Sequence, residues 1–302
     1  MVSSLLEKIT DRRAGICLYG LVPPRKATPP NELREIVVHQ TERIARLELD
    51  GVIVYDIEDE ADRTATPRPF PFLPVMDPNE YANDHLSDLG LPRIVYRRVG
   101  RDTPETFVEW LSGNHATTSV LVGAPTRTAQ LTLPLADAYA LARSHAPELV
   151  LGGIAIAERH GRRFDEHERI IAKTKMGCRF FVTQSVYDVT STKSLLSDYA
   201  LAAGDAAVPI ILTFSPCGSE KTLEFMKWLG ISFPRWLENE LRFTPDPLAT
   251  SMKLCEDVFT ELWDYARDKK IPVGINVESV SIRKREIEAS IALASTLRAR
   301  MA

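Results

Sequence analysis

The sequence predicts an α/β protein built as a single (β/α)8 (TIM) barrel, in which eight parallel strands close into a sheet surrounded by helices. Apolar segments of strand length alternate with helix-length segments along all 302 residues, which implies parallel strands joined by right-handed crossovers. The clearest strand runs from residue 177 to Gln184, where an apolar run ends in a neutral amide. Because such barrels carry their active sites at the carboxyl ends of the strands, polar residues at those ends are the candidate functional residues.

Eight segments have the length and apolar content of parallel strands buried on both faces. In chain order they cover residues 16–22, 51–57, 93–97, 119–123, 150–157, 179–184, 209–214 and 272–278. Eight strands in a chain of this length predict one barrel domain over residues 1–302 rather than two domains.

A helix-length segment follows each predicted strand. These segments cover residues 31–49, 80–89, 104–112, 133–145, 166–176, 191–203, 219–228 and 281–300. Two more, 234–241 and 247–268, predict extra helices before the last strand. The one irregular segment, 66–78, is rich in proline and contains Phe70 and Phe72, which predicts an ordered arm rather than a linker between domains.

Composition is typical of one compact cytoplasmic domain. Hydrophobic residues make up 44% of the chain, enough for a core and a helical layer, and no apolar run is long enough to cross a bilayer. Residues 1–13 have alternating charges and no apolar signal core, so we expect no secretion. A net charge of −4 argues against nucleic acid as the main partner. The four cysteines lie far apart, which predicts reduced thiols and no metal site.

Two neighbouring segments resemble a known enzyme family. Residues 157–160 and 177–188 are similar to the part of 5,10-methylenetetrahydrofolate reductases in which a Pro-Glu-x-His turn precedes a helix and an Ile-Thr-Gln strand. Further similarities lie at the prolines after the first strand (21–24), after the second strand (62–64), and in the seventh-strand region with its Ile-Pro-x-Trp turn (215–225 and 233–236). The resemblance covers nearly the whole chain, at low identity elsewhere, and implies a folate substrate and a nicotinamide cofactor.

The chain departs from this family at the positions that serve flavin chemistry. The family's first strand ends in a motif whose glutamate is the general acid, and Gly20 occupies that position here. After the fourth strand the family has Leu-Arg-Gly-Asp, which holds flavin and pterin, whereas residues 121–124 read Leu-Val-Gly-Ala. The resemblance, with these losses, predicts an enzyme without FAD, in which hydride passes directly from NADH or NADPH to the methylene carbon.

The resemblance assigns roles to four further residues. Gln184 is expected to bind the pterin, although its position alone also fits a core amide bonded to backbone. Phe225 takes the place of an aromatic residue that packs on folate or nicotinamide, and Lys221 replaces a family glutamine in the substrate site. Lys173 matches a lysine that contacts phosphate and is the expected cofactor ligand.

The second predicted strand is the candidate source of the proton that Gly20 cannot donate. Because side chains in a strand repeat with a period of two, we expect Asp56 and Glu58 to share the inward face with Val52 and Val54. Paired carboxyls in a partly dry pocket raise one pKa, as a general acid at neutral pH requires. The alternative is a solvated acidic loop that caps the next helix.

Five other residues at predicted strand ends are candidates for ligand binding. Glu158 and Glu278 are expected to contact substrate, although Glu278 alternatively pairs with an arginine five positions later. His160, assigned to the cofactor site, either coordinates a ligand or shuttles protons, or it orients its loop; the last is favoured because no second histidine or cysteine lies at metal-ligand spacing. Tyr19 and Tyr55 are candidates for stacking on substrate and cofactor, or for structural positions at the barrel rim.

The predicted reaction is the reduction of 5,10-methylenetetrahydrofolate to 5-methyltetrahydrofolate by direct hydride transfer, a step of one-carbon metabolism and methionine biosynthesis. One alternative is an FAD-dependent reductase with substitute flavin contacts. The other is a folate-binding protein without catalysis that serves a methyltransferase partner. The choice between NADH and NADPH, the polyglutamate length of the folate and the oligomeric state stay open.

Overall fold

Eight parallel strands form a closed barrel in sequence order, with β8 beside β1. The computed structural model describes residues 4–59, 66–114, 116–123, 131–161 and 165–301. The strands are β1 (Cys17–Leu21), β2 (Gly51–Val54), β3 (Arg93–Arg98), β4 (Thr118–Val122), β5 (Val150–Ala155), β6 (Cys178–Ser185), β7 (Ile210–Phe214) and β8 (Val273–Glu278). The predicted fold class is therefore confirmed.

Helices lie before, between and after the strands, and most of them cover the outside of the barrel. They are α1 (Leu5–Thr10), α2 (Pro30–Ile44), α3 (Pro78–Glu80), α4 (Pro104–Gly113), α5 (Leu135–His145), α6 (Glu166–Lys175), α7 (Val189–Ala203), α8 (Glu220–Trp228), α9 (Arg235–Phe243), α10 (Pro247–Asp268) and α11 (Lys284–Arg300). Both α9 and α10 lie between β7 and β8, as predicted. None of the helices in the described ranges has the length and apolar character of a membrane span.

The predicted helix over 80–89 is not one continuous α-helix. Residues 78–89 form the single turn α3, a π turn at Tyr81–His85 and a 3-10 turn at Ser87–Leu89. Four of the ten residues in 80–89 are Asn, Asp or Ser, whose side chains compete with the backbone for hydrogen bonds and weaken an α-helix.

Strand side chains alternate between the barrel interior and the layer beneath the helices. Large apolar residues of six strands fill the interior, and Leu5 and Ile9 of α1 pack against them. The strand residues are Leu18, Ile53, Ile94, Tyr96, Val120, Phe180, Val182 and Ile211. By the same alternation, the last inward positions of the strands form the floor of the barrel mouth, the space at their carboxyl ends.

The predicted inward face of β2 is wrong. The strand ends at Val54 rather than residue 57, and its interior side chain is Ile53, with Tyr55 packed against the same cluster. Val52 and Val54 belong to the layer beneath the helices. Because both faces of a barrel strand are buried and apolar, the sequence pattern does not separate the inner face from the outer one.

Phe180 fills the interior beside Gly152. A Cβ atom on Gly152 would lie 2.4 Å from Cζ of the Phe180 ring, so the ring would have to leave its packed position. We expect Gly152→Ala to lower the free energy of unfolding by about 1–3 kcal/mol, measured by urea denaturation. Gly113→Ala is the control, because no atom of the described residues lies within 4 Å of a Cβ there. Equal stabilities of the two variants would contradict this packing.

Candidate functional site

A hydrogen-bonded polar cluster lies in the barrel mouth where β7 and β8 end. The Asn276 amide donates to the Tyr55 hydroxyl at 2.9 Å and to Thr213 Oγ1 at 3.2 Å. The Ser215 hydroxyl donates to Glu278 Oε1 at 3.2 Å. We call these five residues the mouth cluster. The mouth cluster lies directly above the apolar interior of the barrel and contains groups that can exchange protons.

The carboxyl group of Glu278 is the acid of the mouth cluster. Burial raises its pKa, and hydrogen bonds from Tyr55, Ser215 and Asn276 only partly offset this effect. Burial also holds the pKa of the Tyr55 hydroxyl well above its ordinary value, with the neighbouring Glu278 charge adding to it. A carboxyl group with a raised pKa stays protonated closer to neutral pH, as a general acid must.

Gly20 is the strand partner of Glu278 in the pairing of β1 with β8. A Cβ atom on Gly20 would lie 2.7 Å from the Tyr55 ring and 3.1 Å from Glu278 Cβ. The space that a side chain at position 20 would need is therefore filled by Tyr55 and Glu278. A carboxyl group therefore lies beside position 20 in the barrel mouth, and it belongs to Glu278 of β8 rather than to a residue of β1.

Asp56 and Glu58 lie together, as the sequence predicted, but in an ion-pair cluster with arginines. Asp56 accepts from the Arg98 backbone N–H at 2.9 Å and lies 3.0 Å from its Nε. Glu58 contacts the same guanidinium group and lies 3.0 Å from Arg101 Nη2. Burial raises the pKa of Asp56, and Arg98 opposes that shift. These carboxylates have their own cationic partners, whereas Glu278 has hydroxyl and amide neighbours.

Gln184 and Glu158 approach the segment between α8 and α9. The Gln184 amide nitrogen donates to the Leu229 carbonyl at 2.6 Å, and its Oε1 is buried with no hydrogen-bond partner in the part of the chain that the structure describes. Glu158 accepts from the Ser232 backbone N–H at 3.4 Å. Burial raises the pKa of Glu158, and the charge of Asp188 adds to the shift. The structure thus brings together an unused acceptor and a carboxyl group at the β5–β6 side of the mouth.

The predicted arm, described from residue 66 onward, is ordered and reaches from the β1 loop to α8. A β-bridge joins Val75 to Arg25, and the Trp228 indole N–H donates to the Thr66 carbonyl at 2.9 Å. Arg25 lies in the loop that follows β1, so this anchor is at the carboxyl end of that strand, on the mouth side of the barrel. The arm therefore contributes to the rim of the mouth.

Aromatic side chains of the arm meet those of α8 around one guanidinium group. The Arg68 guanidinium carbon lies 5.2, 5.4 and 5.0 Å from the ring centroids of Phe72, Phe225 and Trp228. Phe70 packs edge-on against Phe225 at 5.4 Å. We call these five residues the aromatic cluster. Its planar faces and positive charge suit a planar ligand with anionic groups.

Lys221 lies beside the aromatic cluster. Its amine is 4.5 Å from the centroid of the Phe70 ring. The predicted pair Lys221 and Phe225 is therefore brought together on α8, at the rim of the mouth rather than on its floor. A cation in this position can contact a carboxylate at the outer end of a ligand.

Two predicted site residues, Tyr19 and Lys173, lie outside the mouth. Tyr19 is in the layer beneath the helices and bonds to the Ser290 hydroxyl at 2.7 Å, so its predicted stacking on substrate in the mouth is wrong. The Lys173 amine donates to the Ile154 carbonyl at 2.8 Å. Burial lowers the pKa of this amine, and its position behind β5 contradicts phosphate binding in the mouth. The Tyr19 error arises because the sequence alone does not assign the inner face of a barrel strand. Lys173 was assigned by family resemblance alone, and it lies on α6 rather than at the end of a strand.

His160 also points away from the mouth. Its Nε2 lies 3.0 Å from the Asp198 carboxylate on α7. This pairing corrects the predicted contact with cofactor and agrees with the alternative, in which His160 orients its loop.

Sequence reasoning missed three members of the mouth cluster, namely Thr213, Ser215 and Asn276. A signal for Asn276 was present, because it is the only strongly polar residue before Glu278 in the run from Val273. A period of two places Asn276 and Glu278 on one face.

Two surface clefts, of about 350 and 610 Å³, lie at the opposite end of the barrel. Ala14 lines both, Val273 at the start of β8 lines the smaller, and Arg298 lines the larger. Because barrel enzymes react at the carboxyl ends of their strands, we assign these clefts no part in the chemistry.

The chain is highly similar in sequence and fold to a solved structure. That structure is of an uncharacterized protein from Clostridium thermocellum that binds two copies of 5-methyl-5,6,7,8-tetrahydrofolic acid, with 44% sequence identity, a TM-score of 0.87, and coverage of 99% of this chain and 100% of that one. The chain belongs to the family of this protein. A GH113 β-1,4-mannanase, at 10% identity and a TM-score of 0.55 over 94% of this chain and 99% of the other, shares the fold alone. No protein-family model and no curated protein matches the sequence.

Proposed function

We propose that this protein reduces 5,10-methylenetetrahydrofolate to 5-methyltetrahydrofolate with hydride taken directly from NADH or NADPH. The observation that carries the proposal is the family member that binds 5-methyltetrahydrofolic acid, which is the product of this reaction. The raised pKa of Glu278 beside Gly20 supports a reducing enzyme over a folate carrier, because the reaction requires one proton donor.

Pterin binding is assigned to the β5–β6 side of the mouth. The amino group and the ring N–H of a pterin form a donor edge, which requires acceptors. Gln184 Oε1 has no hydrogen-bond partner among the described residues, and the Glu158 carboxyl contacts the same segment between α8 and α9. The aminobenzoyl ring and the glutamate tail then extend toward the aromatic cluster, where Lys221 and Arg68 supply positive charge.

The reaction needs a proton at one atom and a hydride at another. The bond between N10 and the methylene carbon breaks, leaving an iminium at N5, and Glu278 donates its proton to N10 as that nitrogen departs. The dihydronicotinamide supplies the hydride that adds to the methylene carbon. The products are 5-methyltetrahydrofolate, oxidised nicotinamide and a Glu278 carboxylate, which takes a proton back from solvent. The protein contributes this proton transfer and the alignment of the two ligands.

An assay of NADH and NADPH oxidation with 5,10-methylenetetrahydrofolate tests the proposal. Turnover that depends on the folate, with 5-methyltetrahydrofolate as product, is expected. Folate binding without any turnover would instead favour a folate-binding protein that serves a methyltransferase.

We predict that no flavin copurifies with the protein and that added FAD leaves its activity unchanged. The reason is that this chain lacks both charged side chains of the reductases' flavin motif. Val122 occupies the position of the arginine, and Ala124, which lies outside the described residues, occupies that of the aspartate. The segment 62–64, which also resembled the reductases, lies outside the described residues as well. The absorbance spectrum of the purified protein is the measurement, and stoichiometric flavin bands would favour the flavoenzyme alternative.

A further inference from the structure

Three potential metal ligands meet where the β5 loop joins α6. One ligand atom from each of His160, Asp165 and His167 lies within 4.8 Å of the others. The two imidazole rings are 5.4 Å apart between centroids and meet edge to face. Two imidazole nitrogens and one carboxylate oxygen are a donor set that suits Zn²⁺ and neighbouring first-row divalent ions.

Both histidines carry a ring nitrogen that nothing in the described structure satisfies. His160 Nδ1 and His167 Nδ1 are buried without hydrogen-bond partners, although burying an unpaired polar atom is costly. The His160 side chain is only 6% exposed, so water does not readily reach it. A metal ion bound to these two nitrogens would remove the cost.

The second nitrogen of His160 has the environment of a metal-bound imidazole. Its Nε2 lies 3.0 Å from the Asp198 carboxylate. Histidines that ligate metals generally donate their other N–H to a carboxylate or carbonyl, which fixes the ring and leaves the opposite nitrogen to the ion. Asp198 thus holds His160 with Nδ1 available as the ligand atom.

Asp165 is the third potential ligand, and its side chain makes no hydrogen bond that caps α6. It occupies the N-cap of α6 but makes no capping hydrogen bond, whereas Asp188 and Asp246 cap α7 and α10 with their carboxylates. Asp165 is exposed. Ligand atoms of a tetrahedral zinc ion lie about 3.3 Å apart, given bonds of about 2.0 Å, so small side-chain rotations, including that of Asp165, would close the site.

We propose that His160 Nδ1, His167 Nδ1 and the Asp165 carboxylate bind one divalent transition-metal ion, with Asp198 as the supporting carboxylate. The ion ties the loop that carries Glu158 to α6 and, through Asp198, to α7. The site lies outside the barrel mouth and does not depend on the proposed reaction.

Titration of the full-length protein with Zn²⁺, after removal of any affinity tag and treatment with a chelator, tests the proposal. Calorimetry is expected to give one ion per chain, and Co²⁺ is expected to give visible ligand-field absorption in its place. Zn²⁺ should also raise the melting temperature, because an ion that binds only the folded state stabilises it. A stoichiometry well below one would overturn the site.

Matched variants locate the ion. His167→Ala and Asp165→Ala should each weaken Zn²⁺ binding at least about tenfold, and Asp198→Asn about ten- to a hundredfold, as for other supporting carboxylates. His39→Ala is the control, because His39 is an exposed histidine paired with Glu42 on another face. Asp165 is exposed and caps nothing, so its variant keeps the test valid if a histidine variant fails to fold. Unchanged Zn²⁺ affinity in Asp165→Ala and His167→Ala would refute the proposal.

Discussion

Glu278→Gln is expected to lower kcat by about 10²–10⁴-fold, the usual contribution of a positioned general acid. Glutamine preserves the shape of the side chain but has no proton to donate to N10. Binding of 5-methyltetrahydrofolate should change little, since the pterin contacts lie on the β5–β6 side of the mouth. The measurement is NADH oxidation at saturating folate, with a separate titration of the product.

Three variants serve as comparisons for Glu278→Gln. Glu288→Gln makes the same change in α11, where Glu288 pairs with Arg43 at 2.8 Å away from the mouth, and should leave kcat unchanged. Asp56→Asn and Glu58→Gln test the rival hypothesis that the second strand supplies the acid. Near-normal turnover in Glu278→Gln together with a large loss in Asp56→Asn or Glu58→Gln would favour that hypothesis.

The pH dependence of kcat provides an independent check on Glu278. The carboxyl group must be protonated to act, so activity is present below its pKa and is lost as pH rises through it. Because burial raises this pKa, the descending limb should lie at higher pH than for an ordinary glutamate. The limb should disappear from the residual activity of Glu278→Gln.

Gln184→Ala is expected to weaken folate binding about ten- to a hundredfold. The change removes the acceptor Oε1 that we assign to the pterin, and an unpaired donor in the complex costs about 1–3 kcal/mol. The Kd of 5-methyltetrahydrofolate, from fluorescence or calorimetry, is the measurement. Circular dichroism should show an intact fold.

Gln40→Ala is the matched control for Gln184→Ala. Gln40 lies on α2 and accepts from the Tyr81 hydroxyl, so the variant tests loss of a glutamine outside the mouth. Its folate affinity should equal that of the wild type. If Gln184→Ala also retains wild-type affinity, Gln184 does not contact the pterin.

Much of the fold was predictable because strand length and helix length are local properties of the sequence. The eight apolar runs correspond to β1 through β8, and the added helices before β8 were visible as two further segments. The orientation of each strand was not predictable in the same way. Tyr19 and Val54 lie on the outer faces of their strands, which are as apolar as the inner faces. The alternation of side chains therefore separates the two faces of a strand but does not show which face lies inside the barrel.

Part of the candidate site was predictable, because some of its polar residues directly follow a single apolar strand segment. Gln184 and Glu158 follow apolar runs, and the structure places both at the mouth. The mouth cluster was not predictable as a unit, because Tyr55, Thr213, Ser215 and Asn276 come from three separate parts of the chain. Only the closed barrel, in which β1 pairs with β8 and Gly20 is the strand partner of Glu278, brings these residues together around one carboxyl group.

Isotope transfer tests the central claim of direct hydride transfer most directly. The protein, free of flavin by absorbance, is mixed with 5,10-methylenetetrahydrofolate and NADH that carries deuterium at the transferred position, and the product is analysed by mass spectrometry. We expect one deuterium in the methyl group of 5-methyltetrahydrofolate for each NADH oxidised. Deuterium lost to water would indicate an exchangeable carrier such as reduced flavin, and folate binding without oxidation of either nicotinamide would contradict a reductase altogether.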